Sequence, residues 1–566
     1  MPFFPINQSE LKERGWTQAD IILISGDAYV DHPSFGTALL ARILAFEGYK
    51  IGIIAQPDPA KDKDFQALGT PRLFFGISSG NMDSMVNHYT AQRKRRNDDA
   101  YSPDAKSGMR PDRAVMIYTN AIRRLFKGSP VIIGGIEASL RRVAHYDFWQ
   151  DKIRNSILAD SKADLLLYGM AEKSILAVAE ALDHGRDLSE LVDLPGTVSF
   201  AKSANGLSLP DAEACKDKAT FLKMNQIFYA EFQNQPLFQI NGGRILRHNP
   251  PSPPLSTSEM DRIYALDFMN APHPSYDGSR IPAWDQIRQS ITSHRGCYGG
   301  CNFCAIGVHQ GRKIQSRSGT SILAEAQSLK GSISDVGGPS ANMYQSSCRL
   351  GFPDSCRRRS CLFPAICPNL KIDHMAQIQL LDQIRKIPGI KHVFVASGIR
   401  HDMALGNTRY ISAIARHYTG GRLKLAPEHS SDNVLKLMGK PSIARFEEFS
   451  QQYYAEVKKA GIKRQIIPYI IIGHPGTSMD DAMQLRNWLR KNQVQVEQVQ
   501  EFTPTPMTIS TCMYYTGMDF ESGKPIHIPS PSEIRKQKEL IVPAPAKKPF
   551  SKRNPRSQSP KSRKDR

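Results

Sequence analysis

Three closely spaced cysteines constrain this chain more than any other feature of its sequence. Cys297, Cys301 and Cys304 follow the order Cys-x3-Cys-x2-Cys. Three thiolates from one short loop can bind three irons of a 4Fe–4S cube and leave the fourth iron without a protein ligand. Such an open position is typical of a reactive metal site. The glycine pair at 299–300 favours this interpretation, because backbone without side chains can wrap closely around a bulky group.

The same three cysteines could also bind zinc. A closed Cys3His site is typical of structural zinc, and His294 and His309 flank the loop as candidate fourth ligands. A second group of four cysteines follows at irregular spacing, and its members are Cys348, Cys356, Cys361 and Cys367. They could hold an auxiliary Fe–S cluster or zinc, or remain free thiols, and the spacing does not decide among these.

Length and composition indicate a cytoplasmic protein of several domains. A chain of 566 residues is long enough for about two to four domains. Its N-terminus lacks the basic start and apolar stretch of an export signal, and no apolar run reaches the ~20 residues of a membrane span. Nine cysteines in such a chain favour a reducing compartment and metal ligands over disulfides. We therefore expect cytoplasmic localisation and no membrane partner.

The N-terminal third alternates apolar strands with a helix. Residues 21–25 form an apolar run, residues 36–47 have helical periodicity, and residues 51–55 are again apolar. This β-α-β pattern predicts parallel strands whose carboxyl ends bind ligands. Further strands are predicted at 72–77, 130–133 and 164–168. We expect an α/β, Rossmann-like parallel sheet domain over residues 1–200.

Basic residues are concentrated in two segments. Residues 93–96 read Arg-Lys-Arg-Arg, and the stretch from Lys547 to the end holds nine cations against Asp565, within a net charge of +20. We expect residues 521–566 to be a disordered basic tail, because the segment is polar and highly charged. Basic patches attract phosphate groups, so RNA is a candidate partner.

The second half predicts a barrel. A proline-rich stretch at 248–257 marks a connecting segment, which we assign to residues 201–285, and the core domain follows over residues 286–520. Helices are predicted at 373–385, 410–417, 442–459 and 479–491. They alternate with strands at 293–296, 333–336, 393–397, 423–426, 465–472 and 496–502. This alternation predicts a partial (β/α)6 barrel of the TIM type, with chemistry at the carboxyl ends of its strands.

Unusual residues follow three of the predicted strands. Residues 337–339 read Gly-Gly-Pro, residues 426–429 read Ala-Pro-Glu-His, and residues 473–477 read Gly-His-Pro-Gly-Thr. Glu428 and His429 are candidates for holding a cofactor or substrate, and a plain ion pair at the strand end is the alternative. No general acid or base is assigned.

Longer stretches add a resemblance to these patterns. They are Asn81–Met85, Gly134–Arg142, His294–Ile306, His309–Arg312, Thr505–Met507 and Met513–Gly517. Together they resemble the YgiQ-type family of radical S-adenosylmethionine (radical SAM) proteins, over about residues 15–520. Membership implies a 4Fe–4S cluster on Cys297, Cys301 and Cys304, with the amino and carboxylate groups of SAM on the open iron. It also implies that an external one-electron reductant drives cleavage of SAM to a 5′-deoxyadenosyl radical, which acts on an unknown substrate.

The resemblance extends to the residues around the cofactors. Phe303, directly before the third cysteine, belongs to the same pattern. Gly337 and Gly338 stand where radical SAM proteins place a Gly-Gly-Glu that meets the amino group of SAM, although here Pro339 replaces the Glu. Gly473 begins a turn that is similar to the Gly-x-Pro-Gly turn of methylthiotransferase-like radical SAM enzymes. We therefore expect these glycines, Phe303 and Glu428 to contact the cofactors.

The N-terminal layout is similar to the cobalamin-binding domain that precedes many radical SAM barrels. That family places a cobalt-binding His in Asp-x-His-x-x-Gly, but residues 31–36 here read Asp-His-Pro-Ser-Phe-Gly. The spacing departs from the pattern at His32, and this departure argues against cobalamin.

Two other functions stay open at this point. The methylthiotransferase-like turns and the basic charge favour an enzyme that methylthiolates or methylates RNA. A non-catalytic, metal-stabilised RNA-binding protein is the alternative from another class, and it predicts bound zinc and no cleavage of SAM.

Overall fold

One large sheet organises the first half of the chain. The computed structural model describes residues 2–352, 356–494, 496 and 499–542. The strands of this half are β1 (Ile21–Ser25), β2 (Val30–Asp31), β3 (Ile51–Ala55), β4 (Phe74–Ser78), β5 (Val131–Gly134), β6 (His145–Asp147), β7 (Lys152–Arg154), β8 (Leu165–Leu167), β9 (Thr197–Ala201), β10 (Leu207–Ser208), β11 (Leu237–Asn241), β12 (Arg244–His248) and β13 (Ala271–Pro272). Within the described residues, nine of these strands form one sheet in the order β10-β11-β12-β9-β8-β5-β4-β1-β3.

Strands β1, β3, β4, β5 and β8 are parallel, as the sequence predicts. The strands expected at 21–25 and 51–55 are present with those bounds. In chain order their spatial arrangement is 2-1-3-4-5, the order of a flavodoxin-like doubly wound sheet. A sheet of this kind binds ligands outside the carboxyl ends of its strands beside β1, where the strand order reverses.

The expectation of a purely parallel sheet is wrong beyond β8. Strand β9 is antiparallel to β8 and β12, and β12 is antiparallel to β11. Strands β11 and β12 are joined by Gly242 and Gly243, which have φ of 56° and 77°. A two-residue turn with positive φ at both positions reverses the chain into an adjacent strand and favours glycine. The glycine pair was therefore the sequence signal for this hairpin.

Helices cover both faces of the parallel strands. They are α1 (Gln8–Glu13), α2 (Gly36–Phe46), α3 (Asp62–Phe65), α4 (Ser84–His88), α5 (Ala114–Leu125), α6 (Gly135–Ser139), α7 (Ile157–Ser161), α8 (Glu172–Asp183), α9 (Lys218–Glu231), α10 (Thr257–Tyr264) and α11 (Pro282–Ile287). In β1, Ile22 and Ile24 pack into the core that includes Tyr118 of α5. Ile21 and Leu23 pack into the opposite core with α8, because successive side chains of a strand point to opposite faces.

Residues 201–285, expected to connect two domains, carry more structure than a linker. They contribute β10, β11 and β12 to the large sheet, and they also form α9, α10 and α11. The sheet of the first half therefore extends to His248, beyond the boundary expected at residue 200.

The second half of the chain alternates short strands with helices. Its strands are β14 (Ser290–Thr292), β15 (His294–Arg295), β16 (Gln315–Ser316), β17 (Gly331–Ile333), β18 (Asp335–Gly337), β19 (Ser347–Cys348), β20 (Leu370–Lys371), β21 (Ile390–Val393), β22 (Arg422–Glu428), β23 (Gln465–Ile472) and β24 (Gln500–Glu501). Its helices are α12 (Ile306–His309), α13 (Gly319–Ser328), α14 (His374–Arg385), α15 (His401–Ala404), α16 (Thr408–Ala413), α17 (Asp432–Met438), α18 (Ile443–Lys459), α19 (Met479–Lys491), α20 (Ile509–Thr516) and α21 (Pro531–Ile541).

Parallel pairing holds these strands together. Strand β14 pairs with β18, β17 pairs with β21, and β22, β23 and β24 form a three-stranded parallel sheet. Helices α14 and α18 pack Leu381 and Phe449 into the core beneath these strands. The carboxyl ends of β18, β21 and β22 therefore bring their following loops to one side of this half.

The expected tail is in part helical. Residues 531–541 form α21, which packs Ile541 into a core with Ile470 and Leu485, and the tail beyond residue 542 lies outside the described residues. In the part of the chain that the structure describes, no helix is both long and apolar enough to cross a membrane.

Candidate active site

The loop at residues 296–305, called the cysteine loop here, begins directly after β15 and leads into α12. The Cys297 amide donates to the Gly311 carbonyl at 3.0 Å, and the Cys304 amide donates to the Cys301 carbonyl at 3.1 Å. The first bond joins the start of the loop to the residues after α12, and the second closes a turn within the loop. All three cysteines line one small cavity of about 80 Å³. Burial raises the pKa of the Cys304 thiol to about 12, and a coordinated metal would deprotonate it.

Close packing explains the two glycines inside this loop. A Cβ on Gly300, whose φ is 61°, would lie 2.6 Å from the Arg359 carbonyl oxygen. A Cβ on Gly299 would lie 3.3 Å from the Cys297 sulfur and 3.6 Å from Nη1 of Arg400. Gly299 therefore leaves space beside the Cys297 sulfur, and Gly300 lets the chain at Arg359 approach the loop.

Contacts with α17 anchor the loop. The backbone amide of Asn302 donates to the Met438 carbonyl, and its side-chain Nδ2 donates to the Leu437 carbonyl, both at 2.9 Å. These carbonyls end α17 and have no partner within the helix. Phe303 packs against the buried side chains of α17, and its ring centre lies 6.3 Å from that of His474. The structure thus gives Phe303 an anchoring position.

The two histidines considered as zinc ligands are engaged elsewhere. In His294, Nδ1 lies 2.9 Å from the Ser293 hydroxyl and Nε2 lies 3.1 Å from the Ser340 carbonyl oxygen. In His309, Nδ1 lies 3.0 Å from the Ser139 hydroxyl. Among the described residues, no three His, Cys, Asp or Glu side chains gather closely enough for a single metal ion. A 4Fe–4S cube binds each thiolate through a different iron and therefore spaces its cysteines more widely than one ion does.

Sequence reasoning missed Arg400, which faces the cysteine loop from the segment after β21. Its Nη1 lies 3.5 Å from the Cys301 sulfur, and its Nε and Nη2 donate to the two carboxylate oxygens of Asp402 at 2.9 and 2.7 Å. Both side chains are buried. Arg400 follows the strand predicted at 393–397. The rule that functional residues lie after the carboxyl ends of such strands would have found it.

Glu428 ends β22 and forms the ion pair that was weighed as its alternative role. Its Oε1 lies 3.5 Å from Nζ of Lys440, which also donates to the Ala426 carbonyl at 2.6 Å. Burial raises the pKa of Glu428, while the charges of Lys440 and Arg400 oppose that rise. Its φ of 70° is unusual for a residue other than glycine. The segment that carries Lys440 packs against the cysteine loop, since a Cβ on the preceding Gly439 would lie 3.3 Å from the Gly300 carbonyl oxygen.

The predicted glycines at the other strand ends have different surroundings. A Cβ on Gly337 would lie 2.1 Å from the Ser397 hydroxyl, and one on Gly338 would lie 2.7 Å from the His294 ring. Gly473 has φ of 71°, and its contacts are with α21, where its amide donates to the Gln537 side chain at 2.9 Å. Gly337 and Gly338 therefore adjoin the strand that leads into the cysteine loop, whereas Gly473 adjoins the C-terminal helix.

A cavity of about 520 Å³ lies between the two halves, and we call it the central cavity. On one side it is lined by the ends of β1, β4, β5 and β8, and on the other by His294, Arg295 and Gly338. Gly135, with φ of 80°, lines its floor, where a Cβ would lie 3.2 Å from Cβ of Ser78. The central cavity therefore occupies the ligand position that the strand order of the sheet predicts.

The loop at residues 31–36 borders this cavity. The His32 ring is buried, with Nδ1 accepting from the Ser34 amide at 3.1 Å and the ring packed edge-on against Trp284. Burial lowers the pKa of His32 to about 4. Pro33 and Ser34, rather than the His32 ring, line the cavity wall.

The second cysteine group lies against the cysteine loop. The Cys361 amide donates to the Tyr298 carbonyl at 3.0 Å, and the Cys367 amide donates to the Cys361 carbonyl at 2.8 Å. Burial raises the pKa of the Cys361 thiol, and the positive charge of Arg312 opposes that rise. Cys356 is exposed, and residues 353–355 before it lie outside the described residues. The Cys361 contact braces the cysteine loop at Tyr298.

The basic segment at residues 93–96 forms an exposed turn on the first half. The Arg93 guanidinium lies 4.4 Å from the centre of the Phe148 ring, and Arg95 forms an isolated bridge with Tyr89. The basic stretch from Lys547 onward lies outside the described residues.

Comparison with known proteins follows the same division of the chain. Residues 3–290 match the family model described as Radical SAM N-terminal, and residues 291–489 match the Radical SAM superfamily. A UPF0313 protein from Methanocella arvoryzae is 48% identical, with 95% of this chain and 92% of the relative covered. A UPF0313 protein from Geobacter sulfurreducens is 47% identical, with 96% and 92% covered. The chain belongs to the UPF0313 family of radical SAM proteins. The YgiQ-type resemblance is thereby confirmed.

Solved structures resemble this UPF0313 protein in fold. The radical SAM methyltransferase TsrM from Kitasatospora setae, with cobalamin and a [4Fe-4S] cluster bound, matches 96% of this chain and 94% of its own at a TM-score of 0.52 and 13% identity. Another TsrM structure, with tryptophan substrate and a SAM analog bound, matches at a TM-score of 0.51 and 14% identity.

The TsrM comparison corrects the expectation about cobalamin. The loop spacing at His32 argued against that cofactor, yet a protein of the same fold over nearly its full length holds cobalamin together with a [4Fe-4S] cluster. A departure in one loop is therefore insufficient ground for excluding cobalamin from this fold.

Proposed function

We propose that this UPF0313 protein is a radical SAM enzyme whose Cys297, Cys301 and Cys304 hold a 4Fe–4S cluster with SAM on its open iron. The observation that carries the proposal is the meeting of the three thiols in one cavity beside buried charged groups. The cavity of about 80 Å³ and Gly299, which faces the Cys297 and Cys301 sulfurs, suit a compact inorganic group. When bound, the cluster would supply the electron that cleaves SAM to methionine and a 5′-deoxyadenosyl radical.

The charged residues beside the loop suit the amino acid end of SAM. Lys440 carries positive charge that can face a carboxylate, and Glu428 carries negative charge that can face an ammonium group. Both are buried, so these interactions would act in a medium of low dielectric constant. Their role is to bind and orient SAM and to keep water from the site.

The arrangement of strands supports a partial (β/α)6 barrel around this site. Strands β14, β18, β21, β22, β23 and β24 occur in chain order. Strand β14 pairs with β18, β22 pairs with β23, β23 pairs with β24, and β21 pairs with β17, directly before β18; all four pairings are parallel. Glu428 ends β22 and Lys440 follows it, at a carboxyl end where barrels of this type place their chemistry.

Anaerobic reconstitution tests the proposal. The purified protein is supplied with iron and sulfide, reduced, and assayed for 5′-deoxyadenosine formed from SAM. We expect formation by the wild type and by Cys215→Ala, since Cys215 does not line the cavity of the three cysteines. Cys301→Ala should lose both the iron–sulfur absorbance and the product. Product formation at the wild-type rate by Cys301→Ala, or purified protein that binds zinc instead of iron, would refute the assignment.

The central cavity favours a second candidate, a cobalamin-dependent methyl transfer. The cavity lies at the strand ends of a flavodoxin-like sheet, its floor is formed in part by Gly134 and Gly135, and it opens toward Gly338 beside the cysteine loop. Bound cobalamin would supply a cobalt centre that accepts and donates methyl groups. The cavity wall at Ser34 and Asn81 would contact its polar edge.

Binding of hydroxocobalamin tests this second candidate directly. We expect its absorbance spectrum to change on titration with the protein. Ser34→Trp should abolish the change by filling the cavity, while Ser9→Trp, at an exposed position on α1, should not. If the wild-type protein leaves the spectrum unchanged, the cobalamin-dependent function is refuted, and the radical SAM proposal is unaffected.

A further inference from the structure

A buried guanidinium lies against one of the proposed cluster ligands. The Arg400 side chain is 9% exposed, and its Nη1 lies 3.5 Å from the Cys301 sulfur. Distances of up to 4.0 Å are compatible with a hydrogen bond to sulfur, which is larger than oxygen. Arg400 therefore donates to the sulfur of Cys301.

Both the side chain and the backbone of Arg400 are held in place. Its Nε and Nη2 bind Asp402 through two parallel hydrogen bonds of 2.9 and 2.7 Å. The Arg400 amide donates to Oδ1 of Asn342 at 2.8 Å, and its carbonyl accepts from Nδ2 of Asn342 at 2.9 Å. Because the bidentate pair fixes the plane of the guanidinium, Nη1 is the nitrogen that faces the cysteine loop.

The orientation of the pair gives it an electrostatic effect at the sulfur. Arg400 and Asp402 together are neutral, but the positive end points toward Cys301 and the carboxylate lies on the far edge. Burial weakens solvent screening, so this dipole acts strongly over a short distance. Gly299 lies beside this contact, where a Cβ would be 3.6 Å from Nη1, an ordinary van der Waals distance.

We propose that Arg400 raises the reduction potential of the cluster by donating a hydrogen bond from Nη1 to the Cys301 thiolate. This inference rests on the proposed function, because it requires the cluster on Cys297, Cys301 and Cys304. Uptake of one electron adds negative charge to the cluster and its thiolates, and a nearby positive donor stabilises that reduced form. Hydrogen bonds to the sulfurs and local charge are established determinants of Fe–S potentials. Arg400 is thus a positioning residue that acts through Cys301.

A redox titration of the reconstituted full-length protein, carried out without SAM, tests this role. Iron content and the iron–sulfur absorbance are measured first, and the reduced cluster is then followed by electron paramagnetic resonance. We expect Arg400→Gln to shift the potential to a more negative value. Arg400→Lys should shift it less in the same direction, because one ammonium group cannot hold Asp402 and reach Cys301 together.

Arg317→Lys is the matched control. Arg317 is also buried in the second half and donates to the Thr292 carbonyl at 3.1 Å and to Ser321, away from the cysteines. Its substitution should leave the potential at the wild-type value. A shift in Arg317→Lys as large as that in Arg400→Gln would mean a general effect of packing and would overturn the inference.

The remaining outcomes separate the inference from the proposed function. Potentials equal to wild type in both Arg400 variants would overturn the inference, as would an effect confined to the affinity for SAM, which would make Arg400 a SAM ligand instead. If Arg400→Gln assembles no cluster, the inference is tested by comparing the reduction potential of Arg400→Lys with that of the wild type. A wild-type protein that assembles no cluster would refute the proposed function itself.

Discussion

Individual residues show how much of the site depends on space rather than on chemistry. Gly299, Gly300 and Gly338 each lie where a Cβ would meet a neighbouring atom at 3.3 Å or less. The cysteines are the proposed cluster ligands, and these glycines let the surrounding chain approach the loop. Substitutions at these glycines should therefore weaken the site without replacing a ligand.

Gly300→Ala should reduce both stability and bound iron. Its φ of 61° costs an alanine about 1–2 kcal/mol, and the new Cβ would also meet the Arg359 carbonyl oxygen at 2.6 Å. Gly185→Ala isolates the first effect, because Gly185 has φ of 73° and no atom within 4 Å of the added Cβ. Iron per chain after reconstitution and the midpoint of denaturant unfolding are the measurements. Equal losses in the two variants would contradict the argument from packing.

At the scale of elements, helices and strand ends hold the site through buried polar contacts. His474 follows β23, and its Nε2 lies 2.7 Å from the Ser510 hydroxyl of α20, while its Nδ1 lies 2.8 Å from the Pro475 carbonyl oxygen. The turn after β23 is thereby tied to the helix whose Ser510 amide donates to the Asn302 carbonyl of the cysteine loop.

The burial of His474 predicts that the stability of the protein depends on pH. Burial lowers the pKa of His474 to about 3, against 6.5 when unfolded. Between these values the unfolded chain binds a proton that the folded chain does not, so stability is complete above about pH 6.5 and falls as the pH drops below it. The midpoint of unfolding should decrease less steeply from pH 7 to pH 5 in His474→Gln than in the wild type. An identical pH dependence would show that His474 does not contribute.

At the scale of the whole molecule, the two halves meet at the cysteine loop. Arg295 of β15 forms a buried ion pair with Glu172 of α8, and both line the central cavity. The strand that enters the cysteine loop is thus bound directly to the first half of the chain. Loss of this pair should affect stability and cluster retention together.

Glu172→Ala leaves Arg295 buried without its carboxylate, which should cost about 3–5 kcal/mol in the free energy of unfolding. Lys173→Ala is the matched control, because its ion pair with Glu259 is exposed and should contribute about 0–1 kcal/mol. Denaturant unfolding measures both, with iron per chain as the second readout. A Glu172→Ala protein as stable as Lys173→Ala would contradict this assignment.

The exposed segment at residues 93–96 predicts an electrostatic contact with RNA. Binding of a single-stranded oligonucleotide, followed by fluorescence anisotropy, should weaken as salt rises from about 50 to 200 mM. It should survive deletion of residues 547–566 and decrease when Arg95 and Arg96 are both changed to Glu. Binding that disappears with the deletion would assign the contact to the tail.

The amino acid sequence by itself determined the local features of this protein. The cysteine spacing, the family resemblance and strands such as Ile21–Ser25 and Gln465–Ile472 are encoded by residues that lie close together in the chain. Hydrophobic runs and glycine positions report such structure directly, because side chain period and backbone freedom are local properties. The antiparallel hairpin at Gly242 and Gly243 was readable by the same rule.

Only the tertiary structure decided what surrounds the cysteines. Arg400 reaches Cys301 across about a hundred residues of chain, Asn342 holds Arg400, and Lys440 neutralises Glu428. The central cavity likewise needs strands of the first half and the loop ends of the second. No local sequence pattern encodes these contacts, because burial, charge pairing and cavity shape arise when distant segments pack against one another. The donor atoms were therefore readable from the sequence, whereas the charges proposed to tune them became visible only in the fold.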